Sequence, residues 1–200
     1  YWRRTENSNA LDMVKKTLRA MRLGGVWDHL GFGFHRYSTD RQWLVPHFEK
    51  MLYDQALLAM AYLETYQITR DPFYANTAEE IFTYVIRDMR YPRGPFFSAQ
   101  DADSEGEEGK FYVWTTAQFR DVLGAGDAEQ WEKIFNLSPD GNFAEEASRR
   151  KTGANILHLH QDLSQWAEEL GMETDQLGGQ WERAREKLFN AREQRVHPLT

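Results

Sequence analysis

Between Gly24 and Gln55 the chain reads GGVWDHLGFGFHRYSTDRQWLVPHFEKMLYDQ. Four glycines, three histidines, two tryptophans and several carboxylates stand around Pro46. His47 and Asp54 are the catalytic candidates. A helix read from Pro46 onward puts positions 47, 50, 51 and 54 on one face, because seven residues make nearly two turns. The dipole of such a helix disfavours an imidazolium in its first turn, and a neutral ring can take a proton or bind a hydroxyl. Asp54 falls in an otherwise apolar run, where a buried carboxylate costs free energy unless paired. It needs a function or a structural partner such as Lys50, Arg36 or a backbone amide. Glu49 and Lys50 fit either an acid–base pair or ordinary surface charges; Glu49 reads as the second, pointing away from that face.

His35, Arg36 and Tyr37, with Trp43, are candidate substrate contacts. Aromatic and Arg side chains on a Gly-rich backbone suit a polar ligand that stacks and hydrogen-bonds, such as a sugar or carboxylate. The bland alternative is a rigid aromatic plug. The spacing G-F-G-F-H lacks the G-x-x-x-x-G-K pattern of a phosphate loop. Asp101-Ala-Asp103-Ser-Glu105-Gly106 starts like a calcium loop, but the twelfth position is Tyr112 rather than Glu. No metal set is expected there. Asp101 and Asp103 read instead as rim carboxylates, and two carboxylates across a cleft are the minimum kit for glycosidic chemistry. His158 and His160 lack a third ligand. Trp131, Trp166 and Trp181 read as core.

Helices must position these groups. The first starts at Asn7, Ser8 or Asn9 and stops at Gly24 or Gly25. The second runs from His47 to about Gln67, apolar on so much of its surface that burial on most sides is expected. Asp71 and Pro72 open a third, ending near Met89. A long loop, Pro92 to Trp114, carries a strand at Phe111–Trp114 paired with Pro95–Ala99. Helices follow at Thr115 or Thr116 to Leu123, Asp127 to Phe135, Asp162 to Leu170 and Thr174 to about Glu193; Asn136 to Asn155 is irregular. Short turns and long loops alternate, so both dense loops fall on one rim.

The chain has 200 residues, 41% hydrophobic and 14% aromatic, enough for a sizeable core. A net charge of −7 argues against nucleic acid or an anionic membrane as partner. There is no cysteine, so thiol chemistry is excluded from this segment. No apolar run reaches the roughly 20 residues of a membrane span. No cofactor is expected, and a cytoplasmic location is. The polar first residues show no signal peptide, and the abrupt ends suggest a piece of something longer.

The stretches LGGVWDHLGFGFHRYSTDRQWLVPHFEKMLYDQALL and FFSAQDADSEGEEGKFYVW closely resemble a family of large proteins. These carry an N-terminal thioredoxin-like domain followed by a helical toroid, and include spermatogenesis-associated relatives in animals. The resemblance is strong over Leu23 to Trp114 and looser elsewhere. It implies an (α/α)6 barrel similar to N-acylglucosamine 2-epimerases and six-hairpin glycosidases. The expected fold is therefore all-α: helical hairpins of an (α/α)6 toroid in one partial domain, 1–200, with a small β-hairpin near 96–114. The expected function is carbohydrate-related acid–base catalysis of the epimerase, isomerase or glycosidase kind. The alternative is a non-catalytic toroid that binds a peptide or partner domain, coupled to a thioredoxin-like domain outside this chain.

Overall fold

The structure is a computed structural model that describes residues 2–144 and 150–200. It is mostly helical. A single turn, α1 (Trp2–Thr5), precedes α2 (Ser8–Leu23). Asn7 caps α2 by accepting from the Asn9 amide, and Gly24 ends it. After the Gly-rich loop come three two-residue strands: β1 (Tyr37–Ser38), β2 (Pro46–His47) and β3 (Lys50–Met51). Then α3 (Leu52–Thr69) and α4 (Pro72–Asp88) form a hairpin, with Asp71 capping α4 and Pro72 in its first turn. The strands β4 (Ala99–Gln100), β5 (Asp103–Ser104) and β6 (Glu107–Glu108) follow. The chain closes with α5 (Thr116–Leu123), α6 (Ala125–Ile134), α7 (Leu163–Leu170) and α8 (Thr174–Arg192). Thr115 and Gln118 make a reciprocal capping box on α5.

The second helix begins five residues later than its sequence suggests. Pro46 lies in a strand, and β1 pairs antiparallel with β2 at Tyr37–His47 and Ser38–Pro46. β3 pairs with β4 at Lys50–Gln100 and Met51–Ala99. Extended residues alternate sides, so His47 and Glu49 point outward while Phe48 and Lys50 point into the protein. The pairing between β3 and β4 joins the two dense loops, as the alternation of connections implied. The hairpin within 96–114 exists, but between Asp103–Ser104 and Glu107–Glu108. Phe111 does not pair with Pro95–Ala99; Phe96 bridges Arg90, and Trp114 bridges Asn155. Part of the irregular stretch expected at Asn136–Asn155 lies outside the described residues.

Three apolar clusters hold these elements. Trp114, Phe119, Trp131, Phe135, Trp166 and Leu188 pack α5 to α8 together. Leu18, Trp27, Phe34, Tyr62, Tyr74 and Ile81 join α2, α3 and α4 to the Gly-rich loop. Phe48, Ala102, Phe111, Tyr112 and Ile156 sit between them. α3 is not buried on most sides: Tyr53, Leu57, Met60 and Leu63 are exposed.

Two glycines fix the path of the loop. A Cβ on Gly25 would lie 2.0 Å from the Leu44 carbonyl oxygen. Gly33 has φ +79°, and a Cβ there would lie 2.5 Å from the Tyr84 ring. Gly33→Ala combines left-handed backbone with a clash. It is expected to cost at least about 2 kcal/mol, read as a lower urea midpoint at unchanged slope. An unchanged midpoint would mean that the loop relaxes freely around Tyr84.

Candidate functional site

The centre of the molecule is a buried ion cluster. Asp28, Lys50 and Arg192 are 5%, 1% and 3% exposed. Asp28 Oδ1 accepts from the amides of Leu30 and Gly31, each at 3.0 Å, which folds the loop into an Asx-type turn. The same oxygen accepts from Arg192 Nη1 at 2.7 Å. Asp28 Oδ2 accepts from Arg192 Nη2 and from Lys50 Nζ, both at 2.9 Å. Lys50 Nζ also donates to the Phe32 carbonyl at 2.8 Å. Gln55, at the start of α3, clamps the loop by accepting from the Phe34 amide and donating to its carbonyl. One carboxylate thus ties the Gly-rich loop to β3 and to the end of α8.

The electrostatics follow from burial and count. Burial pushes the Asp28 carboxyl up, but the charges of Arg192 and Lys50 pull harder, and it is held well below the usual carboxylate range. Burial lowers the Lys50 ammonium to about 8, with Asp28 opposing and Arg192 adding. His35 donates from Nδ1 to the Phe48 carbonyl at 2.9 Å, so its neutral ring leaves Nε2 bare. Burial first, then Lys50, lowers it to about 3. His29 donates from Nε2 to the Gly24 carbonyl, and burial first, then Arg22, lowers it to about 3 as well.

A cavity of about 240 Å³ opens on this cluster. Asp28, Lys50 and Arg192 form its floor, and Tyr84, Tyr112 and Gln100 its aromatic side. Both tyrosine hydroxyls donate to Gln100 Oε1, at 3.1 and 2.8 Å. Lys50 Nζ sits 4.4 and 4.9 Å from the two ring centres. Asp88 and Phe111 also line it, as do Glu193 and His197 from the segment after α8. That segment is held down by hydrogen bonds from the Asp101 amide to Leu199 and from the Ser104 hydroxyl to Val196.

His47 and Asp54 do not share a helix face, because α3 starts only at Leu52. They belong to a second, outer group. His47 Nδ1 donates to Glu108 at 2.7 Å, and its Nε2 is 3.6 Å from Glu49. Arg36 donates to Glu49 at 2.7 Å. Glu49 is therefore the hub of this group rather than a charge pointing away. Asp54 lies in the first turn of α3, where the dipole favours a carboxylate. Its Oδ2 is buried with no hydrogen-bond partner among the described residues. Burial pushes that carboxyl up, Arg36 opposes and Glu49 adds.

The other candidates separate. His35 is buried beside the central cluster, edge-on to Phe48 and Tyr112. Tyr37 is 52% exposed and leans on the His47 ring. Trp43 serves the backbone instead: its carbonyl accepts from the Gly25 and Val26 amides. Asp101 and Asp103 are both exposed, the first between β4 and β5 and the second in β5 of the β5–β6 hairpin. Among the described residues no three acidic or histidine side chains gather as a metal set. His158 and His160 stack edge-on with each other. Asp28 and Arg192 escaped the sequence reading, and Lys50 entered it only as a partner for Asp54 or as half of a pair with Glu49.

The cluster sits in a chain with relatives. Over 210 residues it is 40% identical to spermatogenesis-associated protein 20 of Homo sapiens, covering 96% of this chain and 27% of that protein. The Mus musculus protein is 40% identical over 207 residues, 95% of this chain and 26% of its own length. An uncharacterised protein of Caenorhabditis elegans is 31% identical over 207 residues, 95% of this chain and 28% of its own. The chain spans about a quarter of the length of the curated relatives it matches. No family model matches it. No helix among the described residues is long and apolar enough to cross a membrane.

Proposed function

We propose that this chain is the cavity-bearing part of a carbohydrate-related catalytic domain, built from helical hairpins of an (α/α)6 toroid. Its chemistry is proton transfer on a sugar of the epimerase, isomerase or glycosidase kind. The observation that carries this reading is the cavity of about 240 Å³ over Asp28, Lys50 and Arg192. Ligand pockets for drug-sized molecules start near roughly 300 Å³, so this volume suits a single sugar ring. Tyrosine faces suit its C–H surface, and fixed donors suit its hydroxyls. Asp28 stays ionised and holds the two cations in place. Lys50 is the group that exchanges a proton near neutral pH.

One observation favours the rival, a non-catalytic helical domain that binds a peptide or a thioredoxin-like partner domain. Asp28 already accepts five hydrogen bonds, which is what a purely structural clamp would do. A thermal-shift screen of this chain and its longer parent against monosaccharides, uronic acids and short glycans separates the two. A sugar at 100 times its dissociation constant is expected to add about 2.7 kcal/mol, or about 5–10 °C in a domain of this size. Lys50→Met should abolish that shift. A shift that survives Lys50→Met but is lost in His47→Ala would move the chemistry to the outer group. No shift in the folded parent would leave the rival.

A further inference from the structure

We propose that the cavity traps carbonyl compounds: Lys50 Nζ condenses with the aldehyde or ketone of an open-chain sugar to give an imine. This rests on the carbohydrate reading above and adds to it the reacting atom and the functional group attacked.

Charge count singles out Lys50. The floor holds one carboxylate and two cations. Arg192 takes both oxygens of Asp28, and a guanidinium does not lose its proton in a protein. Lys50 is therefore the surplus cation and the only member of the three able to shed its charge. The hydrogen bonds agree. Among the described residues Lys50 Nζ has two oxygen acceptors, Asp28 at 2.9 Å and the Phe32 carbonyl at 2.8 Å. A neutral amine has two hydrogens to give, and its lone pair then takes the third direction. Lys50 lines a cavity large enough for a short sugar. A lysine beside a second cation in a desolvated site is the established way to activate an amine nucleophile.

The other groups facing the site fit the same chemistry. Tyr84 and Tyr112 give their hydroxyl protons to Gln100, and burial first keeps both phenols protonated. Asp88 is engaged by Arg87. Glu193, on the wall, faces His197 at 3.6 Å. His35 stays neutral behind the floor.

The step balances without a further reagent. The nitrogen lone pair attacks the carbonyl carbon, and the C=O electron pair moves to oxygen. One N–H proton is transferred to that oxygen, giving a carbinolamine. The remaining N–H proton leaves with the hydroxyl as water while the C=N bond forms.

The test is reductive trapping on the unaltered protein. The chain is incubated with glyceraldehyde at pH 8, reduced with cyanoborohydride, digested and read by peptide mass. The exposed Lys16, Lys110, Lys133, Lys151 and Lys187 are internal references. Lys50 is expected to label at least about tenfold faster than these, because an amine with its pKa lowered by two units or more is about 100-fold richer in the neutral form at that pH. Its labelling should saturate with glyceraldehyde, and theirs should not. Lys50 left unlabelled while the five react, or labelled at their unsaturable rate, would overturn the proposal. Sugar-induced thermal shifts without Lys50 labelling would overturn the imine alone. Saturable Lys50 labelling without a shift from any sugar would uphold the imine and overturn the carbohydrate reading.

Discussion

Acidifying the protein from pH 7 to pH 5 is expected to remove about 4 kcal/mol of its stability. His29 and His35 are fully buried and neutral, each with its folded-state value lowered from 6.5 to about 3. Above about pH 6.5 both are neutral whether the chain is folded or not, and pH has no effect through them. Below it the unfolded chain takes up two protons that the folded one refuses. Stability then falls by about 1.4 kcal/mol per pH unit for each ring. At pH 5 that is about 2 kcal/mol each, and the loss continues until the folded rings protonate near pH 3. His158 is lowered too, by burial first, and adds in the same direction. Burial is the main reason both rings stay neutral; Arg22 and His158 add to it at His29, Lys50 and Arg192 add to it at His35, and Asp28 opposes it at both. Urea unfolding at pH 7, 6 and 5 measures this directly. A total loss under about 1 kcal/mol would mean that at least one ring takes a proton without unfolding. Single His→Gln variants would tell which.

Asp28→Asn is expected to be the most damaging substitution in the chain. It strips the shared partner from two buried cations and leaves donors facing donors. Removing one partner of a buried ion pair costs about 3–5 kcal/mol, and here two cations lose the same partner. Domains of this kind have only about 5–15 kcal/mol in hand. Lys50→Met should be milder, since Asp28 and Arg192 remain as a matched pair. Adding Lys50→Met to Asp28→Asn should recover part of the loss. Denaturant midpoints of the three variants give the coupling free energy. If Asp28→Asn unfolds within about 1 kcal/mol of the native chain, water reaches the cluster and the clamp is not what holds the loop.

Much of the helical framework was legible because local chemistry and tertiary packing agree there. Asn7, Asp71 and Thr115 are good caps by side-chain type, and each caps a helix in the structure. Gly171, which follows α7 in the left-handed conformation, likewise punctuates as glycine should. The region 46–51 was misread for a physical reason. Proline fits either the first turn of a helix or an edge strand, and sequence spacing alone does not choose. Pairing with Tyr37–Ser38, across the loop, and with Ala99–Gln100, far away in the chain, decides it. That single change moves Lys50 from a helix face to the interior and His47 to the surface. Lys50, Asp28 and Arg192 carried no local signal, because charged residues are almost always exposed unless paired. The pairing that buries these three spans 22 and 164 positions. The outer group was partly legible: Arg36, Tyr37, His47 and Asp54 were singled out, Glu49 read as surface charge although it pairs with Arg36, and Glu108, the partner of His47, was not singled out.

The reach of the Asp28–Arg192 contact matters for how the protein is made. The two partners are 164 residues apart. A ribosome adding about 5–20 residues per second needs roughly 8–33 s to go from one to the other. Through that interval the nascent Gly-rich loop carries its carboxylate without the guanidinium that later holds it in place. The loop can reach its final form only after α8 has left the exit tunnel, so its folding has to wait for that helix. Proteolysis of ribosome-bound chains cut just before residue 192 would find that loop open, whereas chains extended well past it would be protected.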